Sequence, residues 1–507
     1  MSYDNAGILL PTVGAAVVAL AVWRLLISRS KGPSFPGPKG YPLIGNLLDV
    51  PTEHEYYKFC EWGRQYGPIT SFTVLGQHML VLNTPAAAEE MLDKKSAIYS
   101  DRPHLTMASD LVGWKDVLVL TPYGDRFKAY RRMMHRIIGT RAAVDSFNTT
   151  LEVEAQKTAV RIRDDPNGFR VHIRKGIGAS ILMISHGYKV QGDGDELLRI
   201  ADSATDQLNE IVSPGRFLVD QIPILRYVPE WVPGATFQRH AREWRTTLTE
   251  LTDRSFRFVQ QQLSAGTAVP SFVSTFVDGK TLSPQDEANV KWTAASLYSG
   301  GADTPVSALS SFILALTMYP DALKKGQAEI DAVVGQDRIP GFADRDHLPY
   351  IQAMVQELLR WCPVTPLGAP HRLTKDDVHE GKFIPKGTII LVNEWGLMHD
   401  PNTYKDPMRY YPDRHLSING SKPERNPLEI CFGYGRRTCP GSHIAESFMY
   451  TYIVTIVALF DIASVPGEEP TYSYTSGALV HPAPFKCTIK PRSARAEALL
   501  QTVADLR

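Results

Sequence analysis

Cys439 is the residue whose surroundings point most directly to chemistry. It stands in Phe432-Gly433-Tyr434-Gly435-Arg436-Arg437-Thr438-Cys439-Pro440-Gly441, immediately before the apolar run SHIAESFMYTYIVTIVALF. This arrangement predicts a cysteine at a helix amino terminus, with Pro440 near the first helical position, where the helix dipole and unpaired N–H groups favour a thiolate. Gly433 and Gly435 permit a tight turn and a close approach of backbone to a flat ligand, and Arg437 offers a fixed cation for a carboxylate. A lone cysteine is more often inert packing, so its neighbours decide the reading. The five cysteines, Cys60, Cys362, Cys431, Cys439 and Cys487, lack any C-x-x-C spacing and are odd in number, which argues against a zinc knuckle or a disulfide framework.

Two further groupings could take part in chemistry. Gly300-Gly301-Ala302-Asp303-Thr304-Pro305 places an acid and a hydroxyl beside residues that disfavour a helix: each glycine costs about 1 kcal/mol and the proline about 3 relative to alanine. A proline at 305 cannot donate to the carbonyl of Gly301, so a local groove beside Asp303 and Thr304 is expected. Glu357 and Arg360 form an i, i+3 pair opposite the stripe Ile351, Met354, Val355, Leu358 and Leu359; by spacing alone this is a solvated surface pair.

The elements that must hold these residues are mostly helical. Ser283-Pro284-Gln285-Asp286 supplies an N-cap, a proline at the first position and an early acid for a long helix that Pro320 ends, and its second half, VSALSSFILALTMY, is apolar on almost every side. Short runs beginning at Ile69, His78 and Thr388 predict a small sheet at the side. The expected class is mainly α (α+β): one large helical domain, residues 51–507, with a small side sheet. Ahead of it, residues 6–23 carry no charge and are long enough to span a bilayer; residues 1–5 form a short lumenal end, and 24–50 a basic flank and Pro/Gly-rich hinge. Asp4 precedes the apolar run while Arg24, Arg29 and Lys31 follow it, so the chain beyond should face the cytosol and the sequons at Asn148 and Asn419 should stay unmodified. Lys+Arg and Asp+Glu are balanced at 54 each, which removes an electrostatic case for nucleic acid.

The ten residues around Cys439 resemble the haem-binding signature of the cytochromes P450, F-x-x-G-x-R-x-C-x-G, at Phe432, Gly435, Arg437, Cys439 and Gly441. Similar motifs follow in the family's order: E-x-x-R at Glu357 and Arg360, P-x-R at Pro412-Asp413-Arg414, and the oxygen-groove pattern at Gly300, Gly301, Asp303 and Thr304. The resemblance implies haem b with Cys439 as the axial thiolate, propionates held by Arg437, Arg131 and His371 with Arg102 as a further cation, and a buried triad of Glu357, Arg360 and Arg414 supporting the cysteine loop. It implies Asp303 and Thr304 as the proton-delivery pair. Two positions depart from the pattern: Phe127 stands where the family has tryptophan and loses an N–H donor, and Pro305 replaces a hydroxyl residue.

The activity the resemblance implies is insertion of one oxygen atom from O2 into a small apolar or aromatic molecule, by hydroxylation or epoxidation, in fungal secondary-metabolite biosynthesis. The electrons come from NADPH through NADPH-cytochrome P450 reductase, with cytochrome b5 as a second donor; Lys128, Arg132 and Arg136 form the docking face. The place is the endoplasmic reticulum membrane, single-pass, with the catalytic domain in the cytosol. Pocket walls are expected from Asp101 to Trp114, Ser296 to Thr304, Thr365 to Ala369 and Ser476 to Leu479, including Met107, Leu111, Leu367 and Leu479. The alternatives are a haem-thiolate isomerase or dehydratase, and a non-catalytic haem protein of the membrane that binds a ligand.

Overall fold

A computed structural model describes residues 32–192, 194–418 and 420–506. The expected membrane span at 6–23 and the sequon residue Asn419 lie outside them. The runs expected as strands form β1 (Ile69–Val74) and β2 (Gln77–Leu82), an antiparallel hairpin. Two short strands, β3 (His371–Arg372) and β6 (Ile389–Val392), complete a four-stranded sheet of order β1-β2-β6-β3, with β6 parallel to β2; β4 (Asp377–His379) pairs with β5 (Lys382–Ile384), and β7 (Phe460–Ser464) with β8 (Cys487–Pro491). The Pro/Gly stretch before them is extended but docked: Phe35 is buried, and Ser71 N donates to Pro36 O at 2.8 Å.

The helices around the site are α1 (Asp125–Ile138), α2 (Asn148–Asp164), α3 (Phe169–His186), α4 (Glu196–Val212), α5 (Thr236–Ser264), α6 (Pro284–Gly301), α7 (Thr304–Met318), α8 (Pro349–Trp361) and α9 (Ser442–Leu459). In α1, Phe127, Tyr130, Met134 and Ile138 turn inward at helical spacing, leaving Lys128, Arg132 and Arg136 exposed on the other face. Helix α9 is apolar all round and is the core element, packed against α2, α7 and α8. It is long and apolar enough to cross a membrane, yet most of its surface is buried in the protein.

The long helix expected from Ser283 is two helices. Its start is as read: Ser283 caps it by accepting from Asp286 N, with Pro284 in the first turn. It stops at Gly301 and resumes at Thr304, so Pro305 falls in the first turn of α7, where the missing N–H breaks no helical bond. A Cβ at Gly301 would lie 2.9 Å from Ile181 Cδ1, so this glycine allows α3 to approach the break.

Candidate active site

The loop carrying Cys439 is built from turns that demand its glycines. Gly433 and Gly435 have φ of 72° and 58°, and a Cβ on Gly435 would stand 2.1 Å from Leu92 O. A short 3-10 turn, Gly435–Arg437, follows, and Cys439 N closes the loop on Phe432 O at 2.7 Å. The N-cap of α9 is Gly441, so Cys439 lies two residues before the cap and Pro440 is outside the helix, which corrects the expected register. The thiolate argument needs correcting with it. Burial pushes the Cys439 thiol up, and the Gly441 N–H and Arg131 oppose this without overcoming it. A bound metal would favour the thiolate, since coordination deprotonates a thiol.

Cys439 is exposed, yet protein atoms crowd the residue as they do an interior group. A pocket beside the loop is lined by Thr304, Pro305 and Ala308 of α7, by Phe432 of the cysteine loop, and by Thr365 and Glu394; Cys439 itself is outside its lining. Of the expected pocket residues, Thr304 and Thr365 line it; Met107, Leu111, Trp114, Leu367 and Leu479 do not. Glu394 was not anticipated. Its carboxyl, with Thr365 as its side-chain partner at 3.4 Å, is pushed up to about 8 by burial.

On the other side of the loop, three arginines converge without a counter-ion. Arg437 donates to Ser100 O at 2.7 Å, Thr121 O at 2.8 Å and Leu118 O at 3.3 Å, and its guanidinium lies 3.9 Å over the Phe127 ring. Phe127 thus replaces an N–H donor with a cation–π platform. Arg131 donates to Thr438 O at 2.5 Å, and Arg102 donates to Ala369 O and Pro370 O, each at 2.6 Å, while its buried Nε has no partner. Among the described residues none of the three pairs with a carboxylate; the nearby Asp101 is held by Arg372. Burial drives Arg437 down to about 10, and burial with Arg437 also lowers Arg102 well below the ordinary guanidinium range.

His371 is buried beside them, down to about 3 from burial and Arg102, with Nδ1 bonded to Tyr99 O at 2.8 Å. Tyr99 O fixes the proton on Nδ1, so Nε2 can donate only if an anion arrives to stabilise the doubly protonated ring. Three cations without a carboxylate partner, the buried Arg102 among them with an orphaned Nε, an exposed cysteine and a neighbouring pocket are what a flat dianionic iron macrocycle would satisfy, so the residues present fit haem.

Asp303 and Thr304 face opposite ways at the break between α6 and α7. Thr304 Oγ1 donates to Gly300 O at 3.0 Å and its residue lines the cavity. Asp303, 3% exposed, has Oδ2 held by Asn209 Nδ2 at 2.7 Å and by His481 Nε2 at 3.1 Å, while Oδ1 is buried without a partner. Burial favours its neutral form, but His481, Arg174 and Asn209 outweigh burial and hold it below the ordinary carboxylate range. Nothing in the sequence around 209 or 481 signals these contacts.

The pair read by spacing as solvated, Glu357 and Arg360, is wholly buried at 0% exposure, and this corrects the expectation from spacing in favour of the resemblance. Arg360 grips both carboxylate oxygens at 2.9 Å, Arg414 Nε donates at 3.1 Å, and His415 Nε2 and Tyr411 N add contacts at 2.9 and 2.8 Å. Burial alone would raise Glu357; Arg360, His415 and Arg414 bring it down to about 2. Arg414 also binds Glu424 at 2.6 Å, tying the cluster to the segment that leads into the cysteine loop. His415 and Glu424 were not foreseen.

A family model described as Cytochrome P450 matches residues 35–489. Curated relatives include cytochrome P450 monooxygenase 208 of Postia placenta, 44% identical over 97% of this chain and 98% of its own length. Cytochrome P450 monooxygenase claR of Ampulloclitocybe clavipes is 42% identical over 95% and 90%, and CLM2 of Gibberella zeae 40% over 92% and 91%. The loop geometry and these likenesses agree, and the chain belongs to the cytochrome P450 family, as a monooxygenase.

Proposed function

We propose that this enzyme would hold haem b on Cys439 and that it inserts one atom of O2 into a small apolar or aromatic molecule of fungal secondary metabolism. The observation that carries the reading is an exposed Cys439 in a glycine-shaped loop, beside three arginines that pair with no carboxylate among the described residues. Bound haem with a thiolate ligand supplies O2 activation and oxygen transfer. The chain's part is positional. Cys439 Sγ ligates, and Phe432, Gly435 and Gly441 shape its loop. Arg437, Arg131, Arg102 and His371 take the propionates. Thr304 Oγ1 turns from Gly300 O toward the pocket and passes inward a proton held at Asp303, while the apolar walls of Pro305, Ala308 and Met449 exclude water.

Electrons reach the site from NADPH through NADPH-cytochrome P450 reductase, docked on the exposed Lys128, Arg132 and Arg136; cytochrome b5 shares that face. Residues 6–23 anchor the chain in the endoplasmic reticulum membrane. Exposed Leu218, Ile222, Ile224, Tyr227 and Trp231, crowded on one short segment, support a membrane-facing side. The test is the spectrum of the reduced protein under carbon monoxide. A red-shifted thiolate Soret band is expected and Cys439→Ala should lose it; an unaltered band in that variant refutes the assignment.

A further inference from the structure

Each monooxygenation consumes two electrons, two protons and O2, and leaves one oxygen in product and one in water; the protons must cross from solvent to a buried acid. Asp303 is that acid in the reading proposed above, on which this inference rests. Its environment limits the routes. Asn209, from α4, donates to Oδ2 but cannot titrate. Arg174 of α3 biases the carboxylate electrostatically, but its own bonds run to Asp202 O and Asp206 Oδ1; Tyr298 of α6 bonds Asp202 Oδ1, not Asp303. His481 differs from all of these, since it touches Asp303 Oδ2 at 3.1 Å and keeps 30% of its side chain exposed.

The backbone that carries the ring is also held in place. His481 N donates to Thr475 Oγ1 at 2.9 Å, and Thr475 N donates to His481 O at 2.8 Å. Next door, Val480 N is fixed on Val364 O at 2.9 Å, and Val480 O accepts from Ser307 of α7. A loop remote in sequence is thereby clamped to the helix that carries Asp303 and Thr304.

We propose that His481 is the proton-transfer residue that supplies Asp303 from solvent, a positioning residue acting through that carboxylate. The Nε2–H bond breaks as the proton moves to Asp303 Oδ2. The ring then rotates Nε2 to water, takes a solvent proton and returns, while Asp303 passes its proton inward toward Thr304. Imidazole suits this step because its ring nitrogen can both give up and take up a proton.

The experiment uses the haem-loaded full chain with reductase, NADPH and O2, and no organic substrate. NADPH consumption, hydrogen peroxide formed per NADPH, and the solvent deuterium effect are followed from pH 6 to 8.5, with the carbon monoxide spectrum and thermal midpoint as checks on folding. His481→Gln retains a donor to Oδ2 but cannot shuttle. It should consume NADPH roughly tenfold more slowly, with a higher peroxide fraction and a flattened pH profile. Added imidazole should restore His481→Ala. If His481→Gln matches wild type while Asp303→Asn is impaired, the relay is overturned and the role of Asp303 survives. If His481→Ala is impaired but glutamine rescues it and imidazole does not, His481 merely holds Asp303, and the relay is again overturned. If Asp303→Asn itself behaves as wild type, the delivery reading and this inference fall together.

Discussion

The buried charge cluster under the cysteine loop allows a prediction with a worked magnitude. Glu357→Gln keeps the shape of the side chain but removes the charge that compensates Arg360 and Arg414, both buried. Stranding a buried charge costs about 3 to 5 kcal/mol. The depressed Glu357 acidity, about 2 against an ordinary 4.5, corresponds to roughly 3 kcal/mol at neutral pH. For 507 residues at about 2.1 cal/mol/K each, the unfolding entropy is roughly 1 kcal/mol/K, so the thermal midpoint should fall by about 3 °C. Because the folded-state pKa is lowered, this stability is present above about pH 4.5 and is lost as pH falls toward 2. The wild type should therefore lose midpoint faster than the variant on acidification, and the two curves should converge. The assay is far-ultraviolet circular dichroism with parallel Soret absorbance, from pH 7 down to 3. A Glu357→Gln midpoint within about 1 °C of wild type at pH 7, or a gap that does not narrow between pH 5 and 3, refutes the reasoning. Replacing Glu357 and Arg360 together by Leu and Met should be milder than the charge-stranding single change, since no half of that pair is left alone.

Three further outcomes follow from the site. Arg102→Met removes a buried cation with an orphaned Nε, so the haem-free protein should gain thermal stability while the haem-loaded protein loses haem faster to apomyoglobin; unchanged haem loss would count against its propionate role. Gly435→Ala forces a Cβ to within 2.1 Å of Leu92 O at a positive φ, and should cut haem incorporation severely, read as the ratio of Soret to protein absorbance; normal loading would sink the account of the loop. Glu394 is pushed up to about 8, so between its ordinary 4.5 and 8 the folded state binds the extra proton and stability declines as pH rises, by about 1.4 kcal/mol per unit at most. Glu394→Gln should remove that decline, with a larger advantage over wild type at pH 8 than at pH 5; an equal advantage at both shows that burial does not hold the proton there.

What could be read from the sequence divides by the range of the interactions involved. The Ser283–Pro284 start, the inward stripe of α1 and the apolar all-round α9 are local patterns, set by residues within a few turns. The cysteine loop was legible because its glycines and arginine are contiguous. Glu357 and Arg360 show where local reading stops: their spacing looks like a surface pair, and only the return of Arg414, His415 and Tyr411 from more than fifty residues away buries them. Asn209 and His481 meet Asp303 across separations of 94 and 178 residues, and neither stands in a motif. The register at the cysteine was missed for a different reason: Cys439 was expected at the helix terminus with Pro440 near the first helical position, whereas α9 is capped at Gly441. The burial that pushes the thiol up comes from tertiary packing that spacing does not carry.

The break at Gly301–Thr304 draws the site together. Inside an unbroken helix Pro305 would cost about 3 kcal/mol, but in the first turn of α7 it removes an N–H that has no helical partner, so that penalty does not arise. What the break provides is a change of direction within two residues. Asp303 turns outward to Asn209 and His481, and Thr304 turns toward the pocket, which successive residues on a continuous helix, about 100° apart, would not do with both backbones fixed in the core. Gly301 lets α3 close over the break, and Arg174 of that helix adds to His481 in holding Asp303 below the ordinary carboxylate range. Pro305 therefore exchanges a hydroxyl for a fixed junction. The relay loses one polar group and keeps an acid whose Oδ2 meets the part-exposed His481, and this places the burden of proton supply on that outward partner.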